Sequence, residues 1–263
     1  IMQTITLFDT LLFDINNIEN GNSIRMTCSN SFLPVDEGNL VIRAVNMLVE
    51  EFDIKADIAI HLEKRIPIAA GMAGGSSDAA AAFNAMNDIF HLGLSKQELM
   101  ERAVKLGADI PYCIMQGTAL SEGIGDILTP VTPLKDVFIL IATPDINVST
   151  GFVYGNLKLD DNTVHPDIDG IVDAMAENDA RKVGHLLGNV LETVTVPAYP
   201  VIDELKCIMK ESGAIGSLMS GSGPTGFGMY ESMECAKEAL KVCSEKITGV
   251  FCAVTECFCP AQN

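Results

Sequence analysis

A run of twenty residues, "GMAGGSSDAAAAFNAMNDIF" from Gly71 to Phe90, constrains the architecture of this chain more than any other stretch. Gly71, Gly74, Gly75, Ser76 and Ser77 stand directly ahead of an alanine-rich segment. Glycine accepts positive φ and lets a backbone come close to its neighbour, whereas alanine is the strongest helix former. The junction therefore reads as an irregular loop feeding a helix whose Ala79, Ala82, Phe83, Met86 and Phe90 share one face. The serines can cap that helix and offer hydroxyl donors. Its first turn presents free N–H groups at the positive end of the helix dipole. Loop chemistry alone leaves two readings open: a capped helix with a flexible entry, and a cradle for an anion. A P-loop is excluded, because no Lys follows Gly75, and the glycine spacing is not that of a dinucleotide fingerprint.

Around this junction, strand and helix patterns mix without a strict βα repeat, which predicts an α+β fold. Residues 4–15 and 23–28 alternate about the turn-rich "NNIENGN" and read as a hairpin. "EGNLVIRAVNMLVEEF" carries Leu40, Ala44, Val45, Leu48, Val49 and Phe52 at helical spacing, and "DIAIHLEKRIP" alternates as a strand ending at Pro67. "SKQELMERAVKLG" predicts a helix with Ser95 as N-cap, Glu98 completing a capping box and Gly107 as its stop. "DVFILIATP" is a continuous apolar run, hence a buried strand. Helices are expected near 168–190, 200–212 and 232–246, with a last strand near 248–257. A loop rich in Asp, Asn and Thr spans 155–169. The pattern changes after Pro144, which sets two domains, 1–145 and 146–263.

The formal net charge of −18 disfavours nucleic-acid and membrane partners. A small anionic ligand is compatible with it, because backbone N–H groups can hold an anion without lysines. No long uncharged apolar run predicts a membrane span, and no signal peptide is visible. The eight cysteines include no CxxC pair, and Cys28, Cys113, Cys207 and Cys252 sit in apolar segments. Reduced, mostly buried thiols in a cytoplasmic protein are expected. His61, His91, His165 and His185 have no metal-ligand spacing, so no protein metal site is assigned.

Two further stretches bear on chemistry. In "KLGADIPYCIMQGTAL", Asp109 stands between a helix stop and Pro111; it reads either as the N-cap of a short helix or as a base facing a substrate hydroxyl. "GSGPTG" (221–226) matches GxGxxG literally, but Pro224 interrupts it and a strand-like "GFGMY" follows, so it reads as a close-passing turn rather than a dinucleotide site.

Taken in order, "IPIAAGMAGGSSDAA", "LGADIPYCIMQGTALSEGIGDILTP" and "GAIGSLMSGSGPTGF" resemble the GHMP superfamily of small-molecule kinases. "MQTITLFD", "GNLVIRA" and "PDINVSTGFVYGNL" extend the likeness over nearly the whole chain, toward the kinases that act on the 2-hydroxyl of 4-diphosphocytidyl-2-C-methyl-D-erythritol (CDP-methylerythritol) in isoprenoid precursor synthesis. The resemblance implies a two-domain fold with its active site in the inter-domain cleft. It implies ATP under Gly71, Gly74, Gly75, Ser76 and Ser77, with Asn39 and Lys64 near the adenosine and Mg²⁺ accompanying the phosphates. Asp109 matches the family's catalytic aspartate. Thr150 and Tyr154 fall where the family contacts the cytidine, and Gly221, Ser222 and Gly223 match the third motif beside the active site. A monomer or weak homodimer is expected. Ala73 departs from the family, which usually has glycine there.

The family's first motif carries a Lys in an initial strand and a Tyr-His pair, and no residue here takes those roles. The chain starts at Ile1 without an initiator Met and is strand-like at once, as expected of a fragment. Little or no kinase activity is therefore expected of the chain as given; turnover equal to that of a chain extended at its N-terminus would refute this. The alternatives are a homoserine- or mevalonate-type kinase, disfavoured by Tyr154, and a catalytically dead nucleotide-binding protein.

Overall fold

Period-two alternation builds the first layer. In the strand Ala56–Glu63, Ala56, Ile58, Ile60 and Leu62 are buried, while the residues between them are at least partly exposed. The computed structural model describes residues 1–18, 21–161 and 163–260. Within them the chain runs β1 (Met2–Gln3), β2 (Thr10–Asn17), β3 (Ser23–Cys28), α1 (Leu40–Glu51), β4 (Ala56–Glu63), α2 (Gly74–Ile89), α3 (Lys96–Ala103), α4 (Ile110–Met115), β5 (Thr118–Glu122), β6 (Ile127–Pro130) and β7 (Phe138–Thr143). It continues through α5 (Thr150–Asn156), α6 (Ile168–Ala176), α7 (Ala180–Leu186), α8 (Glu192–Ala198), α9 (Val201–Glu211), β8 (Gly216–Met219), β9 (Gly226–Tyr230), α10 (Met233–Lys246) and β10 (Phe251–Glu256).

The first sheet has the order β2-β4-β3. Its apolar face is covered by α1, through Val41, Val45 and Leu48, and by α2, through Ala79, Phe83 and Met86. The expected hairpin between residues 4–15 and 23–28 does not form: β4 lies between β2 and β3, antiparallel to the first and parallel to the second. The reason is length and burial. β4 supplies a partner for all eight residues of β2, and the crossover through α1 that brings β4 back beside β3 buries the apolar face of α1. Glu19 and Asn20 of the turn-rich connection, and Asn162 of the 155–169 loop, lie outside the described residues.

The second sheet, of order β10-β7-β9-β8, is antiparallel throughout. Leu140 and Ala142 of β7 face α9 and α10, and Ile139 and Ile141 face α6 and α7. Burial on both faces explains why β7 is a continuous apolar run. The chain enters this sheet at Phe138, so the division expected at 145 falls one strand later than the entry. Residues near the start of the chain also reach it: Ile5 bridges Cys257, and the Thr6 and Thr255 hydroxyls lie 2.9 Å apart. A third sheet, β1-β5-β6, completes the fold.

The capping box forms as expected, with Ser95 and Glu98 bonded reciprocally. The helix it starts ends at Ala103, ahead of Gly107, and β4 ends at Glu63, ahead of Pro67. The helical stretch expected over 168–190 is two helices, broken where Asn178 takes φ +56° and Asp179 caps α7. The thiols are less buried than expected. All eight are free, Cys243 is buried, and Cys207, Cys235 and Cys259 are exposed, because Cys207 and Cys235 fall on the solvent faces of α9 and α10.

Candidate active site where two glycine-rich stretches meet

The helix that follows the first glycine stretch begins at Gly74 and has no side-chain cap. The residue at the cap position is Ala73, in the left-handed region at φ +52° and ψ +28°. Ser76 and Ser77 therefore do not cap, contrary to expectation. They lie inside the first turns, with the Ser77 hydroxyl donating to the Gly74 carbonyl at 2.8 Å. The first amide of this region to find a helical acceptor is that of Ser77, on the Ala73 carbonyl at 2.8 Å. Among the described residues, no group accepts from the amides of Gly74, Gly75 or Ser76. This leaves three N–H donors at the positive end of a sixteen-residue helix. An alanine in the left-handed region is strained by roughly 1–2 kcal/mol, and glycine's extra freedom in the unfolded chain returns part of that. Ala73→Gly is expected to stabilise the protein by about 0.5–1 kcal/mol; urea unfolding checks it.

Gly71 joins the two glycine stretches. Its φ is +68°, and a Cβ placed on it would stand 2.4 Å from the Ser220 carbonyl oxygen and 2.9 Å from that of Gly223. The Ser220 hydroxyl donates to the Gly71 carbonyl at 2.8 Å. Gly221 and Gly223, at φ +54° and +89°, turn the chain between β8 and β9. The literal GxGxxG match thus sits between two strands, as its sequence context suggests. The turn is braced by residues that sequence reading missed. Asn189 donates to the carbonyls of Met219 (3.0 Å) and Gly221 (2.7 Å). Glu192 accepts the Met219 amide at 2.8 Å and the Lys206 ammonium at 2.7 Å. Thr195 donates to the Ser222 carbonyl at 3.2 Å. Each is a single polar residue; Asn189 falls at the end of a stretch read only as helical, and Glu192 and Thr195 fall in the 191–199 stretch, where the sequence predicts no element, so no local signal marks them.

Asp109 precedes α4 in a helical conformation, φ −83° and ψ −15°, and its side chain makes no capping bond. The capping alternative is thereby removed. Among the described residues its carboxylate has no hydrogen-bond or ion-pair partner. It is accessible to solvent, yet the surrounding protein partly desolvates it and raises its pKa above the usual carboxylate value. α4 packs on α2. The Cys113 thiol on α4, pushed up to about 12, feels burial first and then the charges of Asp109 and Asp78.

Thr150 and Tyr154 sit one turn apart on α5 and so share a face. The Thr150 and Ser222 hydroxyls are 3.0 Å apart, which ties α5 to the second glycine turn. Tyr154 is 61% exposed, leaving its ring open to a partner. Asn39 is the N-cap of α1: it accepts the Val41 amide at 2.9 Å and donates to the Pro34 carbonyl at 2.8 Å. Its neighbour Leu40 borders Gly75, with Cδ1 3.9 Å from where a Cβ would stand. Lys64 borders Gly74, its Nζ 2.9 Å from the corresponding position. Its ammonium is buried against Asp9 and Asp78 rather than offered to solvent.

The GHMP kinases N terminal domain model matches residues 39–117, and the GHMP kinases C terminal model matches residues 171–247. The chain is 47% identical over 239 residues to a 4-diphosphocytidyl-2-C-methyl-D-erythritol kinase of Lachnoclostridium phytofermentans, covering 91% of this chain and 81% of that protein. A crystal structure of 4-(cytidine 5'-diphospho)-2C-methyl-D-erythritol kinase has a TM-score of 0.77 to it at 27% identity, covering 95% of this chain and 87% of the other. The homoserine kinase of Cytophaga hutchinsonii has a TM-score of 0.83 at 20% identity, covering 97% and 88%; there the likeness is one of fold alone. With both family models matched in order across the two glycine stretches, the chain belongs to the GHMP kinases, in the group of the 4-diphosphocytidyl-2-C-methyl-D-erythritol kinases.

Proposed function

We propose that this protein transfers the γ-phosphoryl group of ATP to the 2-hydroxyl of CDP-methylerythritol, in the cleft bounded by the start of α2, Asp109 and the 220–225 turn. The reading rests on one observation above others: three free amides at the uncapped start of α2, and, at the head of the helix α4 that packs on α2, a carboxylate with no partner among the described residues. Phosphoryl transfer asks for positioning and charge stabilisation rather than covalent help. The amides of Gly74, Gly75 and Ser76 hold phosphate oxygens; the missing side chain at Gly75 keeps the approach open, and those at Gly71 and Gly74 let the second glycine turn and Lys64 pack against the loop. Asn39 lines the adenosine side, where α1 borders the loop; the Lys64 side chain expected there is instead buried against Asp9 and Asp78. Asp109 orients the acceptor hydroxyl and takes its proton, and its raised pKa makes it a stronger base than a free aspartate.

Thr150 and Tyr154 receive the cytidine, with the exposed ring of Tyr154 stacking on the base, and Gly221, Ser222 and Gly223 close that side of the cleft. Tyr154→Ala is expected to raise the KM for CDP-methylerythritol about tenfold, because one aromatic–base stack is worth roughly 1–3 kcal/mol. The kcat stays near wild type, and Tyr154→Phe keeps most of the affinity; steady-state kinetics read both.

The described residues contain no group of three His, Cys, Asp or Glu side chains able to hold a metal ion. Mg²⁺ is proposed as part of the substrate MgATP, and no step is derived from it. No helix among the described residues is long and apolar enough to cross a membrane. We place the protein in the cytoplasm, as a monomer or weak homodimer, since a net charge of −18 works against self-association.

A coupled ADP-release assay tests the reading on the protein translated from its own start codon. CDP-methylerythritol should drive ADP release, and homoserine and mevalonate should not. Release driven by either of those two, or by none of the three, would sink the assignment.

A further inference from the structure

Three buried charged groups that the proposed transfer does not use lie directly beneath the start of α2. The side chains of Lys64, Asp9 and Asp78 are 4%, 3% and 5% exposed. The Lys64 ammonium bonds to Asp78 at 3.0 Å and also to Asp9. Asp9 in turn accepts the backbone amides of Arg65 and Ile66, the latter at 2.9 Å, and the Lys64 amide donates to the Ser29 hydroxyl at 2.9 Å. The cluster ties together three separate pieces of chain: the segment before β2, the turn after β4, and α2 itself. Burying three charges costs desolvation that apolar side chains would avoid, so the cluster is a poor device for stability alone. What it supplies is direction. The Lys64–Asp78 bond fixes the height of α2 relative to the turn after β4, the bonds of Asp9 and Ser29 hold that turn in place, and a glycine at position 74 leaves room for the ammonium there. A helix start is ordinarily held by its cap; this one has none, which keeps its amides free.

We infer that Asp9, Lys64 and Asp78 form a tether that stands in for the missing cap, and that Asp78 is a positioning residue whose bond to Lys64 sets the affinity of the α2 amides for ATP. The inference rests on the reading of that helix start as the ATP-phosphate site. Burial raises the pKa of Asp78, to about 7, against the pull of the Lys64 ammonium, and the charge of Asp9 adds to the rise.

The test compares Asp78→Ala, Asp78→Asn and a triple variant, Asp9→Asn with Lys64→Met and Asp78→Leu, which leaves no buried charge in the cluster. ATP affinity is measured by calorimetry, and kcat and the KM for ATP by ADP release. Asp78→Asn keeps an oxygen for the ammonium and should bind ATP within about threefold of wild type. Asp78→Ala and the triple variant should bind it about tenfold more weakly, with kcat at saturating ATP changed less than about threefold. The triple variant decides the matter if Asp78→Ala does not fold. Wild-type affinity in either folded variant overturns the tether, and so does an Asp78→Asn as weak as Asp78→Ala. Should wild type bind ATP yet fail to phosphorylate CDP-methylerythritol, the substrate reading falls while the calorimetric comparison still judges the tether.

Discussion

Replacing Asp109 by Asn is expected to lower kcat about a thousandfold, the middle of the range for losing a positioned general base. The substitution keeps shape and volume and leaves no buried partner unpaired, because the Asp109 carboxylate has none among the described residues. Stability and ATP affinity should therefore stay near wild type. The pH dependence gives the sharper signature. A base works only when ionised, so kcat/KM falls as pH drops through the pKa of Asp109. Desolvation raises that pKa, so the fall begins at a higher pH than a free aspartate would give. In Asp109→Asn this acid limb should disappear. A variant retaining a tenth of wild-type kcat, or retaining the limb, would show that Asp109 does not carry the proton.

The second large effect is on the junction. Gly71→Ala puts a Cβ 2.4 Å from one backbone oxygen and 2.9 Å from another, at φ +68°. Neither obstacle is a flexible side chain, so the two stretches have to separate. Overpacking costs roughly 1–3 kcal/mol and the left-handed conformation about 1 more, which predicts a loss of about 3 kcal/mol of stability. ATP affinity should fall with it, because the loop cannot reseat without moving the start of α2. Gly93→Ala is the matched control: its φ is +70°, yet nothing lies within 4 Å of the added methyl. It should lose only the conformational part, about 1 kcal/mol. Chemical denaturation of the two variants separates contact from conformation; equal losses would mean that the backbone contact at Gly71 contributes nothing.

The features legible in the sequence are those carried by local pattern. Ser95 and Glu98 stand three residues apart and form the box that this spacing predicts. The helical period of α1 and the alternation of β4 carry their own burial. The glycine-rich entry to α2 was visible, but not its mode of capping, because serines at 76 and 77 suit a cap or a first turn equally. The partnering of β2 and β3 was misread because alternation reports a strand and not its neighbour; the choice of β4 depends on a crossover that buries α1. The braces of the site were invisible for the same reason. Asp9 meets Lys64 across 55 residues, and Ser220 meets Gly71 across 149. Neither Asp9 nor Asn189 stands in any pattern that marks a lone polar residue as structural. The order of three motifs carried the site because a family resemblance holds long-range information that a single stretch does not.

The central claim, that the start of α2 is a cradle for ATP phosphates closed by the second glycine turn, is tested most directly by amide hydrogen exchange with and without saturating MgATP. The account predicts that exchange at Gly74, Gly75 and Ser76 slows about tenfold or more on binding. Slowing should extend to residues 220–223, and Gly93, beyond the far end of a helix about 24 Å long, should not respond. Bound ATP that leaves the three amides exchanging at their free rate would contradict it.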